Sequence, residues 1–327
     1  MKHAVLIMAH KNKEQLIRLI KSLACGSLDI FVHLDKNWKL SREDLSDIAG
    51  CADNVYLCST RIHGELDNWS LVEITLNLID DAIKQETETG EKYSYFLLLS
   101  GQDYPIKSKE YILSFLEKQY PFPLIHIESY EDEYWVRSKF MLTRWLNKVE
   151  AVHKSMKPGL LRKLRVSPYV ILEKIEHKFY GSTYERLKKY NLNIYGGSAW
   201  WILPHGLIDY INEVRKKQPK LIKEYRRTHT PEETFFQTMT MTSPFAEYLK
   251  DGYPPIYDDS ERGDMPCMTY ANFITPKKDF CGHPHIITTE DFDRIMAKKA
   301  LFARKFDIST NSNVLDKIDK VIQNDKQ

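Results

Sequence analysis

The 327-residue chain carries almost no excess charge, because 47 basic residues face 45 acidic ones and leave a formal net charge of +2. Proteins that wrap nucleic acid carry a basic excess that neutralises phosphates, so this balance argues against nucleic acid as a partner. With 43% hydrophobic and 28% charged residues, the chain also lacks the composition of disordered or collagen-like proteins. The composition therefore predicts an ordinary globular protein.

Cysteine is scarce, and its five positions are odd in number and include no CxxC pair: Cys25, Cys51, Cys58, Cys267 and Cys281. A disulfide framework or a structural zinc site is therefore not expected, and a reducing compartment is favoured. No apolar run approaches the roughly 20 residues that span a bilayer, and the N-terminal run is too short for a signal peptide. We expect a cytoplasmic protein that contacts membranes only peripherally.

Several common motifs are also missing. The sequence has no GxGxxG after its first strand, no GxxxxGK[ST] loop and no GxSxG elbow, so classical dinucleotide, P-loop and α/β-hydrolase sites are not expected. Asp291 and Asp293 have the DxD spacing of metal-dependent sugar transferases, but acidic residues after Thr288 also suit a helix start, which is the interpretation we prefer. His283 and His285 are a weak metal candidate. The sequence therefore predicts no metal site.

What is present is an alternation of buried strands and amphipathic helices. Continuous apolar runs at 3–9, 29–34, 54–59 and 94–99, with a fifth at 123–128, predict strands. Helices are expected at 13–24 and from Ser70, which forms an apparent capping box with Glu73. This order predicts an α/β fold with a mostly parallel sheet flanked by helices, whose ligands lie outside the carboxyl ends of the strands. His10, Asp35 and residues 100–103 occupy those ends.

Residues 144–190 differ from the rest, since they contain twelve basic and four acidic residues interleaved with aliphatic ones. One interpretation is a solvated helical insertion. The other is a surface for anionic lipid or for a pyrophosphate-linked acceptor.

The remainder combines an aromatic strand at 196–202 with two expected helix starts. Residues 230–233 read as a capping box with Pro231 at its first helical position. Thr288 is predicted to begin a final basic helix that contains Lys298, Lys299, Arg304 and Lys305. We therefore predict one domain over 1–310, with a helical insertion at about 144–190, followed by a polar tail at 311–327.

Seven segments, taken in order, resemble a known family. They are IMAHK at 7–11, VHLDK at 32–36, NWS at 68–70, LSGQDYPIK at 99–107, GSAWW at 197–201, TPEE at 230–233 and LFARKFD at 301–307. Together they resemble the core-2/I-branching β-1,6-N-acetylglucosaminyltransferases and peptide O-xylosyltransferases, which form glycosyltransferase family 14. The resemblance implies a GT-A-type fold and an inverting reaction that needs no metal. It is weak over 130–190 and 251–285.

The resemblance places the general base at Glu233, with Glu232 as the alternative. Lys305, beside Arg304, is matched to the cation that stabilises the departing diphosphate. Without the resemblance, the local sequence also allows simpler roles. Glu233 could be part of the capping box, and Lys305 could be a cation at a helix end. A second diphosphate-binding residue has no clear match among Arg262, Lys277, Lys278 and His283.

The resemblance further implies that Asp35 contacts uracil and that His10 and Trp69 line the nucleotide pocket. Asp103 is expected beneath the donor sugar or as a residue that orders its loop. Asp35 could instead be an ordinary turn residue.

For the acceptor we predict contacts from Trp200, Trp201 and Glu232. The two tryptophans alternate along a strand, so one should face the core and the other the site, although both could be core residues. The family's acceptor-binding Glu has no clear counterpart near Glu128, Glu131 or Glu133.

The function expected from the sequence is β-linked transfer of a sugar, GlcNAc first, from a UDP-sugar to a hydroxyl of a glycan or lipid-linked oligosaccharide, with no cofactor. UDP-xylose or another UDP-hexose is the alternative donor. A catalytically inactive glycan- or lipid-binding module on the same fold is the alternative class.

Overall fold

A mostly parallel sheet forms the centre of the molecule. The computed structural model describes residues 1–134, 136, 145–261, 263–273 and 284–324. Within these residues the sheet has six strands in the order β3-β2-β1-β4-β9-β6. Strands β1 to β4 run parallel, while β9 is antiparallel to both β4 and β6. The predicted α/β class is confirmed, and the architecture is consistent with a GT-A-like fold.

The strands are β1 His3–Ala9, β2 Leu28–Leu34, β3 Val55–Leu57, β4 Tyr95–Ser100, β5 Asp103–Pro105, β6 Leu124–Ile125, β7 Glu128–Ser129, β8 Tyr195–Gly196, β9 Trp201–Pro204, β10 Thr269–Ala271 and β11 Phe302–Arg304. The helices are α1 Lys13–Leu23, α2 Arg42–Ala49, α3 Trp69–Thr89, α4 Lys109–Gln119, α5 Trp145–Ser155, α6 Leu160–Tyr180, α7 Thr183–Lys188, α8 His205–Lys217, α9 Pro219–Tyr225, α10 Phe235–Met241, α11 Phe292–Ala297 and α12 Asn313–Asn324. A small sheet joins β10, β11 and β5, and β7 pairs with β8. The fifth predicted strand is therefore divided between β6 and β7.

Both faces of the central sheet are covered, which explains its continuous apolar strands. Successive residues of β1 contribute to opposite cores, with Val5 and Ile7 on one side and Ala4 and Leu6 on the other. Helices α1, α4 and α12 contribute to the first core, and α3 and α8 to the second.

Two predicted capping boxes are wrong. Helix α3 begins at Trp69 with Asn68 as its cap, because the Asn68 side chain accepts from the Ser70 N–H, while the Ser70 hydroxyl accepts from the Glu65 N–H. Residues Pro231–Glu233 form a single 3₁₀ turn, and Thr230 precedes it in the left-handed region (φ 49°) without a side-chain cap. The capping explanation of Glu233 is therefore removed.

The C-terminal part also differs from the prediction. Helix α11 ends at Ala297, so Arg304 and Lys305 do not lie on a helix but at the end of β11. The expected polar tail is largely helix α12, whose Val314, Leu315, Ile318 and Ile322 are buried in the core. The helical spacing of these four apolar residues gives the segment enough buried surface to pack onto the domain.

Residues 145–190 are mostly helical, with α5, α6 and α7 in this range; that they form an insertion stays a prediction. Helices α5 and α6 pack together through Trp145, whose indole N–H donates to Glu176 (2.7 Å) and whose ring stacks on Tyr169. Among the described residues, no helix is long and apolar enough to cross a membrane.

Two buried histidines make the fold sensitive to acid. Burial lowers the pKa of both His3 and His33 to about 4, and His33 Nε2 accepts the Ile62 N–H (2.9 Å), which requires an unprotonated nitrogen. Since the unfolded chain binds these protons near pH 6.5, stability is present above that pH and falls as the pH drops toward 4.

We expect each histidine to remove about 2 kcal/mol of unfolding free energy between pH 7 and pH 5. His33→Gln keeps an acceptor for Ile62, so it should lose about 2 kcal/mol less than the wild type over this range. Urea unfolding at both pH values measures the difference. Equal losses in the two proteins would contradict this role of His33.

Candidate functional site

Asp35 lies at the carboxyl end of β2 in a closed network. Its carboxylate accepts from the N–H groups of Gly64 and Asn37, each at 2.7 Å, and contacts His63 Nδ1 at 3.1 Å. Burial acts to raise the pKa of Asp35, but these hydrogen bonds outweigh it and leave the pKa below its usual value. Asp35 is thus ionised and holds the 60–67 loop against the strand end.

His10 lies at the neighbouring end of β1, where its residue is exposed. Partial desolvation of the ring and the charges of Lys11 and Lys305 lower its pKa, against the opposing charges of Asp35 and Asp307. His10 is therefore near both the Asp35 network and the segment that follows β11; its place in a nucleotide pocket stays a prediction.

Asp307 ties the segment after β11 to the end of β1. Its carboxylate accepts from Lys11 (2.6 Å) and Asn12 (2.8 Å). Burial opposes ionisation, but the hydrogen bonds from Lys11, Ser309 and Asn12 hold the pKa of Asp307 far below its usual range. This contact fixes the backbone two residues beyond Lys305.

Arg304 is enclosed rather than open. Its guanidinium stacks over the Trp200 ring at 3.9 Å and pairs with the Asp103 carboxylate at 3.3 Å. Asp103 also accepts from the N–H and hydroxyl of Ser100. Burial raises the pKa of Asp103 and lowers that of Arg304, while their mutual attraction acts against both shifts.

Of the two roles expected for Asp103, these contacts favour ordering of the 100–103 loop. Arg304 is held by the same ion pair, and Lys305, the next residue, is half-buried; a contact of Arg304 with the nucleotide-sugar stays a prediction.

The tryptophan pair divides as alternation predicted. Trp201 is 1% exposed and packs on Phe236 in the core, so the predicted acceptor contact of Trp201 is wrong. Trp200 is half-buried and faces Arg304. Trp69 is also a core residue: it is 6% exposed, packs edge-on against Phe235 and lies under Arg226. Trp69 therefore does not line an open pocket.

Glu232 and Glu233 differ sharply in environment. Glu232 accepts the Asp67 N–H (2.9 Å) through Oε1, and its Oε2 is buried. Burial, together with the Glu233 charge, raises the pKa of Glu232 well above its usual value. Glu233 is half-buried, and its backbone carbonyl accepts the Gly197 N–H (2.9 Å).

Gly197 allows the GSAWW segment to pass close to the backbone of His126. A Cβ at this position would lie 1.8 Å from the carbonyl oxygen of His126, so only glycine fits. Gln237 then donates to the Ser198 carbonyl (2.6 Å) and holds the same segment from α10.

These contacts connect six of the matched segments at the carboxyl ends of β1 and β2. The Asp35 network joins the 60–67 loop, and Asp67 bonds the TPEE turn through Glu232. The carbonyl of Glu233 in that turn accepts a hydrogen bond from Gly197, and Trp200 contacts Arg304. Asp307 then accepts a hydrogen bond from Lys11, which follows β1. Glu233 and Lys305 lie on two of the connected segments, and a carboxylate and a lysine are the groups that proton abstraction and stabilisation of a leaving anion require.

Three positioning residues were missed by the sequence analysis. Buried Gln15 donates to the carbonyls of Gly101 and Phe306 and accepts the Ile308 N–H. Arg61 donates to the carbonyls of Leu34, Asp35 and Trp38, and His33 accepts from Ile62. Only Gln15 carried a usable signal, since it is a polar residue on the apolar stripe of α1.

The predicted metal candidates have different outcomes. Asp291 precedes α11 at the helix start that we preferred, and its carboxylate contacts the Thr288 N–H and Arg294. Among the described residues, no three His, Cys, Asp or Glu side chains are grouped for a metal. His283, and with it the alternative diphosphate ligands Arg262, Lys277 and Lys278, lies outside the described residues.

A basic cleft of about 560 Å³ includes none of the predicted site residues. The cleft is connected to the candidate site through Arg226, whose guanidinium lies over the ring of Trp69. Its lining residues are Arg215, Pro219, Ile222, Lys223, Arg226 and Arg227.

Comparison with known proteins agrees with this assembly of segments. Residues 4–296 match the family model described as Core-2/I-Branching enzyme. Similar curated proteins include xylosyltransferase 2 of Canis lupus familiaris (24% identity over 322 residues, 96% of this chain and 33% of the relative) and xylosyltransferase 1 of Rattus norvegicus (23% over 322 residues, 97% and 35%). The human xylosyltransferase 1 is 22% identical over 319 residues, 96% of this chain and 30% of the relative.

The chain thus spans about a third of the length of these relatives. The family model matches nearly the whole chain, including Asp35 and Glu233, and ends before the LFARKFD segment at 301–307. The chain therefore belongs to the Core-2/I-branching enzyme family, the glycosyltransferase family that the sequence motifs indicate.

Proposed function

We propose that the chain transfers a sugar from a UDP-sugar to a hydroxyl group of a glycan acceptor, with inversion and without a metal. The observation that supports this proposal is a series of contacts that connects the turn of Glu233 with the segment of Lys305. They are linked through Gly197, Trp200 and Arg304.

Glu233 is the proposed general base. An inverting transfer needs a carboxylate that takes the proton of the attacking hydroxyl as that oxygen bonds to the anomeric carbon. Glu232 is the less suitable of the two, because its Oε1 is committed to Asp67 and its Oε2 is buried. We assign Glu232 the task of holding the turn that presents Glu233.

Lys305 is the proposed contact of the departing diphosphate. A cation placed where negative charge develops lowers the barrier without a metal ion. Its backbone is held by two hydrogen bonds. The Lys305 N–H donates to the His285 carbonyl (3.4 Å), and the Lys305 carbonyl accepts the Ile287 N–H (2.8 Å). His10 and Asp35, at the adjacent strand ends, are proposed to face the nucleotide.

Two sugars are candidates for the group that the UDP donor carries. GlcNAc is the sugar we expected from the sequence, whereas the names of the similar curated proteins favour xylose. For the acceptor we propose a glycan or a lipid-linked oligosaccharide, with Trp200 as the ring that contacts it.

A thermal-shift experiment with UDP, UDP-GlcNAc, UDP-xylose and other UDP-hexoses tests the proposal. Since a ligand of the folded state raises the melting temperature by mass action, UDP and one UDP-sugar should raise it, and the shift should survive EDTA. Loss of the shift in EDTA would contradict metal independence. No shift with any nucleotide would instead support the binding-module alternative.

Lys305→Met should weaken binding of UDP by about 10- to 100-fold, since a charged hydrogen bond to the diphosphate is lost. Lys299→Met is the matched control, because this lysine is more than half exposed and lies six residues earlier in the same basic segment. Titration of both variants with UDP measures the effect. Equal affinities would exclude Lys305 from the diphosphate site.

A further inference from the structure

The strongest unexplained surface is one side of helix α6. Nine large hydrophobic side chains of this helix are exposed, and seven of them, all except Val170 and Tyr180, lie on one side; four of the seven are at least 61% exposed. We call these seven the α6 stripe: Leu160, Leu161, Leu164, Ile171, Leu172, Ile175 and Phe179. At 100° per residue they fall within an arc of about 120°, which is the width of a face that is normally buried.

An ordinary surface helix turns its apolar side toward the protein, whereas α6 turns its more polar side toward it. Glu176 is buried there and accepts from Trp145, and Val166 and Tyr169 also face the protein. Packing onto the domain therefore does not use the α6 stripe. An exposed apolar face of this size indicates an interaction site.

The charges beside the stripe define its partner. Lys163, Lys174 and Lys178 are exposed along one border and Arg165 along the other. The two acidic residues of α6, Glu173 and Glu176, lie on the inward side. An apolar stripe whose exposed bordering charges are all basic complements a layer of anionic headgroups above acyl chains.

We propose that helix α6 docks the protein on an anionic lipid surface, with the α6 stripe in the acyl boundary and the bordering lysines at the headgroups. Helices α5 and α6 are anchored beside the candidate site, because Lys148 of α5 pairs with Glu65 (2.6 Å). Glu65 belongs to the 60–67 loop, which contacts Asp35 and includes Asp67. A docked protein therefore keeps this edge of the sheet near the membrane.

Co-sedimentation with vesicles of phosphatidylcholine, with and without phosphatidylglycerol, tests the proposal on the full chain. The wild type should bind the anionic vesicles at least tenfold more tightly than the neutral ones. Leu161→Gln/Leu164→Gln should lose most of this binding. Tyr111→Gln/Val321→Gln, which removes exposed apolar groups from α4 and α12, should retain it.

Lys163→Gln/Lys174→Gln/Lys178→Gln should weaken anionic binding by roughly a hundredfold and reduce its salt dependence. Every substituted side chain is exposed, so each variant should fold. Circular dichroism checks that it does. Wild-type binding by both the stripe and the lysine variants would overturn the proposal. So would a stripe-dependent dimer, seen by light scattering, that does not bind vesicles.

Discussion

Glu233→Gln is expected to lower kcat by about 10²- to 10⁴-fold while the affinity for UDP stays within about twofold. The substitution removes the carboxylate that accepts the proton from the attacking hydroxyl, and positioned bases contribute rate factors of this size. UDP is bound by other residues in the proposed site, so binding should not change. Steady-state transfer assays and UDP titration measure the two quantities separately.

Glu232→Gln is the matched control for this experiment. A glutamine keeps an oxygen for the Asp67 N–H and resembles the protonated acid that the raised pKa of Glu232 favours. We therefore expect near-wild-type kcat and stability. The reverse pattern, with activity lost in Glu232→Gln and kept in Glu233→Gln, would exchange the roles of the two glutamates.

Arg304→Met should reduce the unfolding free energy by about 3–5 kcal/mol, because it leaves the Asp103 carboxylate buried without its cation. The methionine can still pack on Trp200, so the main loss is electrostatic. Urea denaturation measures the change. Transfer activity should fall as well, since Lys305 loses its fixed neighbour.

The double variant Asp103→Asn/Arg304→Met shows whether the ion pair is the cause. Asparagine is neutral and retains an acceptor for the Ser100 N–H, so the double variant should be less destabilised than the sum of the single variants. Additive losses would mean that Arg304 acts through its packing on Trp200 instead of through its charge.

The sequence predicted the strands and most helices well because their signals are local. Buried strands such as β1 and β4 appear as continuous apolar runs, and α1 has a clear apolar stripe. The capping boxes at Ser70 and Thr230 were wrong for a physical reason. The Ser70 hydroxyl accepts from Glu65, and Thr230 is held in the left-handed region, its N–H bonded to Asp67 from a distant loop.

By itself, the sequence determined the α/β class, the positions of His10 and Asp35 at strand ends, and the family, since ordered motifs survive without knowledge of contacts. Tertiary structure alone decided that Trp200 packs on Arg304 while Trp201 is buried in the core, that Arg304 pairs with Asp103, and that residues 313–324 pack on the core. These outcomes depend on pairings between residues far apart in the sequence, such as Asp103 with Arg304 and Arg18 with Asp319. No local pattern specifies such a pairing, because it arises only when the sheet brings its strand ends together.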